Sequence, residues 1–363
     1  MLTSLTFQPI LVTAAVDYEL VSGKRHGDIA ERVANDIRLR RRRELGLDPI
    51  PETQMTLPTY RSPEQLRQDE LEGGIVIVGR PTFKEFMAGL KKGWTEGLEN
   101  IDYDEALARE LESDTHFDEA DESRDVTETL SDGSDKSNLP SPNNSPVFSP
   151  LQMPSIPRSS LQQTSSSASS SFYEPPAVIP PIPPLSLITF TNRIGLTQIP
   201  LMIWEWFNQR HRVRSGAEAA YCLVMKSTRP ILKPEVLFGD ASDDNSPDQG
   251  DLTFDKDVES LYKSSLSKIP SEIEEARKKY YGELPAKLET ARSLARGTRE
   301  PTKEEMNNPP PTEVELRADR MKKEKRWRRD AAGWEIVKPE KDVAWDERFR
   351  HVLRIFTDPS SAN

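Results

Sequence analysis

An α/β fold, in which a small parallel sheet is flanked by helices, is what the sequence predicts, with a helical C-terminal extension and a long disordered insertion. Three observations predict it. Two short unbroken apolar runs, residues 7–16 and 74–79, each lead into a helical repeat. That is the strand–helix–strand–helix order of a parallel sheet with right-handed crossovers. A third apolar run, residues 187–190, supplies the strand without which a two-stranded sheet is too small to stand alone. Between them, residues 101–184 are acidic, then rich in Ser and Pro, and bury too little surface to offset the entropy of ordering. The plan is a Rossmann-like sandwich. Residues 1–100 form its N-terminal βαβα half and residues 101–184 a disordered linker. Residues 185–238, a strand and a helical hairpin, complete the α/β domain, and residues 239–363 form a helical C-terminal region.

Residues 7–16 (FQPILVTAAV) are apolar without alternation, as in a strand buried on both faces. Gly23 and Gly27 lead to Asp28, with Glu31 three residues on, an N-terminal capping pattern. Ile29, Val33 and Ile37 then mark a helix face, with Ala30 and Ala34 beside it. Arg38, Arg40, Arg41, Arg42 and Arg43 crowd its last turns, where cations suit the helix dipole; without interleaved aromatics, they read as a solvated helix end before a nucleic-acid contact. Pro49, Pro51, Pro58 and Pro63 break the connection to the second strand. Gly73, Gly74 and Gly79 do not make a phosphate loop. A dinucleotide fingerprint follows its strand as G-x-G-x-x-G, and here Arg80-Pro81 follows.

Thr82 and Glu85 spell a capping box. Phe83, Phe86, Met87, Leu90, Trp94 and Leu98 stripe the next helix, while Gly89, Gly93 and Gly97 recur at i+4 on another face. Each glycine costs about 1 kcal/mol against alanine in a helix, so three in a row point to close approach of a neighbouring backbone. Lys91, Lys92 and Glu96 exclude the membrane form of that motif.

The chain is organised around residues 185–230, which hold two of the six Trp and the single Cys. Ile199, Met202, Ile203, Trp206 and Phe207 fall on one helix face, with Pro200 in the first turn. Ser215 and Glu218 spell a second capping box, Ala217, Ala220, Tyr221 and Val224 stripe the next helix, and Pro230 stops it. The expected arrangement is a helical hairpin packed on the sheet.

Farther on, residues 257–267 and 271–281 are helical, the second aligned by Ile273, Ala276 and Tyr280. Leu284, Leu288, Ala291 and Ala295 carry its pattern past Pro285. Residues 313–329 form a charged helix in which eight basic residues from Arg317 to Arg329 surround Trp327. Interleaved Glu313, Glu315, Asp319 and Glu324 favour a solvated face over a nucleic-acid or anionic-lipid site. Trp345, Phe349, Val352, Leu353 and Phe356 read as an amphipathic last helix.

With 363 residues the chain is long enough for two ordinary domains. Its net charge of −11 is concentrated. Residues 101–138 hold fourteen acidic residues against Arg109, Arg124 and Lys136, a difference of eleven, so the remainder is close to neutral. A lone Cys222 excludes an intramolecular disulfide and a cysteine-rich zinc site. His26, His116, His211 and His351 are not at metal-ligand spacing. No run reaches the ~18 apolar residues of a membrane span, and no basic residue precedes Lys24 as a signal or transit peptide requires. The Pro-rich residues 174–184 fit an SH3-type groove or, more simply, a spacer.

No cluster of polar groups marks chemistry. No catalytic, cofactor-binding or metal-ligating residue is assigned, and no cofactor is expected. Cys222 lies inside a helical stripe as a packed thiol. A Cys222–His211 pair would need a turn between two helices to bring it together. What remains is aromatic mass that looks exposed, at Trp94, Trp204, Trp206, Trp327, Trp334 and Trp345.

Four segments carry a resemblance: ILVTAAVDYELVSGKRHGDIAERVANDIRLRRR, GGIVIVGRPTFKEFMAGLKKGW, FTNRIGLTQIPLMIWEWFNQRHRVRSGAEAA and VAWDERFRHVLRIF resemble the fungal mitochondrial Tim54 family, a subunit of the carrier translocase. The resemblance covers residues 7–98 and 185–358. It implies a non-enzymatic scaffold that helps insert multi-pass proteins into the mitochondrial inner membrane, with its bulk in the intermembrane space. Implied partners are the channel-forming subunit and the small chaperone Tims; no nucleic acid is expected. It also implies an N-terminal membrane helix, a strand and a helix ahead of Phe7, where this sequence has Met1 to Thr6. Membrane attachment is therefore expected through a partner or through that absent helix. Two other readings stand beside it: an α/β enzyme binding a nucleotide at its strand ends, and a nucleic-acid binder through residues 317–329.

Overall fold

A computed structural model describes residues 11–13, 15–47, 62–98, 103–117, 174–190, 199–208, 210–232 and 250–358. The helices are α1 (Asp28–Glu44), α2 (Pro63–Glu72), α3 (Arg80–Thr95), α4 (Tyr103–Glu112), α5 (Ile199–Phe207), α6 (Arg210–Met225), α7 (Glu259–Leu266), α8 (Ile269–Ala295), α9 (Lys303–Asn307) and α10 (Glu313–Val337). The strands are β1 (Ile75–Val78), β2 (Leu185–Ile188), β3 (Thr228–Pro230) and β4 (Arg354–Phe356). They form one four-stranded sheet in the order β1-β2-β4-β3. β1 lies parallel to β2, Ile75 opposite Leu185, and β2 parallel to β4, Leu185 opposite Ile355. β3 is antiparallel to β4. The sheet is thus mixed rather than parallel: its β3 edge is reversed, and there Pro230 has no ladder bond to lose.

Several expectations change. Residues 7–10 lie outside the described residues, and residues 11–13 are helical rather than extended. An apolar run of that length suits a buried helix as well as a strand, and both sides of β2 are already paired, by β1 and β4. The strand expected at 187–190 sits two residues earlier. The last helix is instead a 3-10 turn, Glu347–His351, running into β4. Its apolar residues do point inward, Phe349 and Leu353 being fully buried, but Ile355 and Phe356 continue as strand because β2 and β3 offer ladder partners. Residues 103–117, expected to be disordered, form α4 and a 3-10 turn.

Asp346 starts the turn that delivers β4. Its carboxylate accepts the Arg348 N–H at 3.0 Å and pairs with the Arg348 guanidinium at 2.7 Å, which also donates to the Pro176 carbonyl. The hydrogen bond from Arg348 holds the Asp346 carboxyl below its usual range. A depressed carboxyl stabilises the fold above its unfolded pKa, and that contribution disappears as pH falls through the folded value. Asp346→Asn should therefore lower the unfolding midpoint at neutral pH, with the gap to wild type closing below pH ~4. Urea titrations at several pH values measure it.

The main core lies between the sheet and α3: Phe83, Phe86, Met87, Leu90 and Trp94 meet Ile77, Leu185, Phe349, Leu353 and Ile355. On the opposite face of β2, Ser186 and Ile188 are also buried. There α6 packs, with Ala219 and Ala220 inward. Both faces of β2 are covered, which suits a strand with apolar residues on each of them, although Ser186 is buried among them.

α1 lies across α3. An added Cβ on Gly89 would stand 2.6 Å from the Ala30 carbonyl, and one on Gly93 would stand 2.8 Å from the Ile37 Cβ. The close backbone approach that the glycine spacing predicts is present, although Gly97 falls past the end of α3. The arginine run of α1 is not simply solvated. Buried Arg41 donates to the carbonyls of Gly93 and Glu96 at the end of α3, at 2.7 and 2.8 Å. Arg38 pairs with Glu96, and Arg40 with Glu70 of α2.

Three expected caps are not made. α1 begins after Gly27 at φ 90°, and the Asp28 carboxylate accepts the N–H groups of Lys24 and Arg25. α3 begins after Gly79 at φ 82°, two residues before Thr82. α6 starts at Arg210, so Ser215 is interior.

A second core joins α8 to α10 through Tyr280, Leu284, Leu288, Leu316 and Trp327, with Phe117 added from the turn after α4. α8 is one helix through Pro285. α10 touches α8, α4 and α3, and so ties the helical body to the sheet unit.

Candidate partner-binding surface

In open α/β sheets a nucleotide would sit beyond the C-terminal ends of the parallel strands. Here this chain fills that place. After β1, Arg80 donates to the carbonyls of Leu252 and Phe254 at 3.0 and 2.7 Å. After β2, the Phe190 N–H donates to Asp255 at 3.1 Å, and Phe254 meets Phe83 edge-on. Burial raises the Asp255 carboxyl, partly countered by the Phe190 N–H. Beneath them, one buried carboxylate, Glu259, serves two buried cations. Arg80 Nε lies 3.0 Å from it and Lys84 Nζ is paired to it. Lys84 also donates to the Lys338 carbonyl at the end of α10. Burial pulls the Lys84 ammonium down, and its bond to Glu259 opposes that shift.

The basic run of α10 remains largely open to solvent, as its interleaved acids suggested, but most of its cations are also matched by carboxylates. Lys325 pairs with Asp104 at 2.6 Å and Arg328 with Glu110 at 2.6 Å, both on α4, and Arg329 pairs with Glu31 of α1 at 2.7 Å. Buried Arg320 pairs with Asp114, donates to the Leu111 carbonyl and reaches the Tyr281 hydroxyl. Tyr281 in turn donates to Glu324 at 2.9 Å, which Arg277 holds at 2.7 Å. Burial pushes the Tyr280 hydroxyl up to about 12, and that of Tyr281, bonded to Glu324, is raised as well.

A cleft of 650 Å³ opens between residues 23–29 and the starts of α3 and α8, with α10 along its side. Its charges are also matched. Buried Glu85 accepts the Ile29 N–H at 3.2 Å and lies 3.8 Å from His26 Nδ1, and Asp330 pairs with Arg25 and Arg326. Among the described residues no group of three or more His, Cys, Asp or Glu is placed to hold a metal ion. Cys222 is half-buried, and burial raises its thiol. The turn that a Cys222–His211 pair would need does not fall between them. Both lie on α6, eleven positions or about 16 Å apart along the axis.

The aromatic residues divide sharply. Trp94 and Trp327 are buried, while Trp334 donates to the Leu266 carbonyl at 3.0 Å and Trp345 is half-buried against Phe349. Only Trp204 and Trp206 stand out, at 67% and 69% exposure, with Phe207 at 78%. The α5 face expected to pack on the sheet is therefore outside. Ile199, Met202 and Ile203 are exposed with it. On α6 the face bearing Gly216, Ala219 and Ala220 is buried, and Val213, Tyr221, Val224 and Met225 are exposed. Apolar periodicity finds such faces but not what covers them. The usable signal was that α5 carries a single polar residue, Glu205. Among the described residues no helix is long and apolar enough to cross a membrane.

An α/β sheet unit tied to a largely charge-matched helical body, with its densest run of exposed apolar residues on α5 and the outer face of α6, defines an interaction-type architecture. Comparison with known proteins gives it a family. The family model described as "Inner membrane protein import complex subunit Tim54" matches residues 6–347. The mitochondrial import inner membrane translocase subunit TIM54 of Cryptococcus neoformans is 32% identical over 98% of this chain and 73% of its own length. The protein of the same name from Aspergillus oryzae is 28% identical over 61% of this chain and 49% of its own length. That from Candida albicans is 24% identical over 63% of each. No solved structure matches. The chain belongs to the Tim54 family of mitochondrial inner-membrane protein import subunits.

Proposed function

We propose that this chain is a non-enzymatic scaffold of the carrier translocase, with its bulk in the intermembrane space, and that it supports insertion of multi-pass proteins into the inner membrane. The sheet unit, a Rossmann-like sandwich drawn from residues 1–100 and 185–238 with β4 lent by residues 239–363, serves as the frame. Partners are the channel-forming subunit and the small chaperone Tims. The observation that carries this reading is the exposed stripe of Val213, Tyr221, Val224 and Met225 on α6. Its opposite face is pinned to the sheet, so the stripe is presented rigidly and costs little ordering entropy on docking. The filled crevice beyond β1 and β2 speaks for a scaffold over a nucleotide enzyme, and the paired cations of α10 speak against nucleic acid.

Affinity isolation of the tagged chain from fungal mitochondria tests it. Carrier-translocase subunits should co-purify, and Tyr221→Asp with Val224→Asp should reduce their recovery about tenfold or more, as loss of a central aromatic anchor does. Recovery of none by the wild-type chain would overturn the proposal.

A further inference from the structure

α5 exposes more than a docking stripe requires. Seven of its nine residues are apolar and exposed. At about 100° per residue they surround the helix except for one gap, into which position 205 falls. A protein groove covers one side of a helix and would leave the rest of this surface in water. A bilayer covers all of it.

The order of residue types along the chain points the same way. Aliphatic Ile199, Leu201, Met202 and Ile203 come first, then Trp204, Trp206 and Phe207, then Arg210, Arg212 and Arg214. Hydrocarbon, interface and headgroup select these three classes in that sequence. Arg210 is exposed at the start of α6, and exposed Arg214 carries its own partner, Glu218, at 2.8 Å. Nine residues rise about 13 Å, less than half of a hydrocarbon core of about 30 Å. The helix can enter one leaflet but cannot cross both.

We propose that α5 is an interfacial anchor, inserted into one leaflet of an anionic bilayer, with the cationic residues that follow it at the headgroup phosphates. This deepens the reading given above by setting the α5–α6 hairpin at the membrane. It does not depend on which subunits bind α6.

Flotation of the purified full chain tests it with no translocase subunit present, so its failure is separate from a failure of affinity isolation. The chain should float with vesicles of mixed phosphatidylcholine and phosphatidylglycerol, and less at high salt. Combined Trp204→Ser, Trp206→Ser and Phe207→Ser should lower partitioning about tenfold or more. Arg210→Gln with Arg212→Gln should leave binding to pure phosphatidylcholine unchanged and weaken binding to the anionic mixture about fivefold per arginine. Trp204, Trp206, Phe207 and Arg210 are exposed, and the arginine variant stands as a second test should the aromatic one fold poorly. Wild-type chain that floats with neither vesicle overturns the proposal. So does an aromatic variant that floats as well as wild type, or apolar burial of α5 in a concentration-dependent dimer.

Discussion

Replacing Glu259 with Gln should destabilise the fold by about 3–5 kcal/mol, the cost of breaking a buried ion pair by removing one partner. The midpoint of denaturant unfolding measures it. Among the described residues Glu259 is the carboxylate ion-paired with both Arg80 and Lys84, and both cations are almost completely buried. The amide fills the same space but leaves two cationic groups without a counter-charge away from water. Lys84→Met should cost less, because Arg80 still neutralises Glu259, although the Lys84 pair with Glu259 and the bond to the Lys338 carbonyl are both lost. The same network fills the place beyond β1 and β2 where a nucleotide would bind, so its failure would also loosen residues 250–259. A Glu259→Gln variant within about 1 kcal/mol of wild type would mean that water reaches these cations, contrary to their burial.

Gly333→Ala should destabilise by about 2–3 kcal/mol, as overpacking against backbone does, and reverse the sign that helix propensity gives. Within α10, alanine is intrinsically better than glycine by about 1 kcal/mol. An added methyl group at Gly333, however, would overlap the carbonyl of His26. That carbonyl belongs to backbone and has nowhere to go. On the other side of the contact, Gly27 at φ 90° faces the Gly333 Cα, 2.8 Å from its own would-be Cβ. Gly282→Ala is the internal control. It sits exposed in α8 with nothing within 4 Å, and should stabilise by about 0.5–1 kcal/mol. If both substitutions stabilise equally in the same titration, α10 does not pack backbone to backbone against the loop before α1.

Long, strongly patterned elements could be read from the residues alone. α1, α3 and α8 through Pro285 each carry a sustained apolar stripe, α10 was legible over 313–329 as a charged helix, and the spacing of Gly89 and Gly93 announced the contact with α1. The three-residue strands could not be read: β3 and β4 are too short to show a period of two. Residues 345–356 imitate a helical stripe because half of them form a 3-10 turn. Capping boxes misled at Thr82 and Ser215, where the helices begin earlier, whereas unremarked boxes at Ser62 and Thr312 are made. The largest omission concerned charge. The acidic residues after 101 and the basic residues after 317 are distant in sequence and read separately as linker and solvated face. Asp104, Glu110 and Asp114 on one side meet Lys325, Arg328 and Arg320 on the other. Spacing along a chain says nothing about such pairings. The outward face of α5 escaped for the same reason, since a periodic stripe names no partner.

Because β4 pairs with both β2 and β3, the sheet cannot close until residues 354–356 have emerged, well over a hundred positions after β2 and β3. Contacts so distant in sequence slow folding. A chain still being made therefore passes through a stage in which the β2 edge that β4 covers is open. Truncating the chain before Arg354 should leave an open edge prone to aggregation.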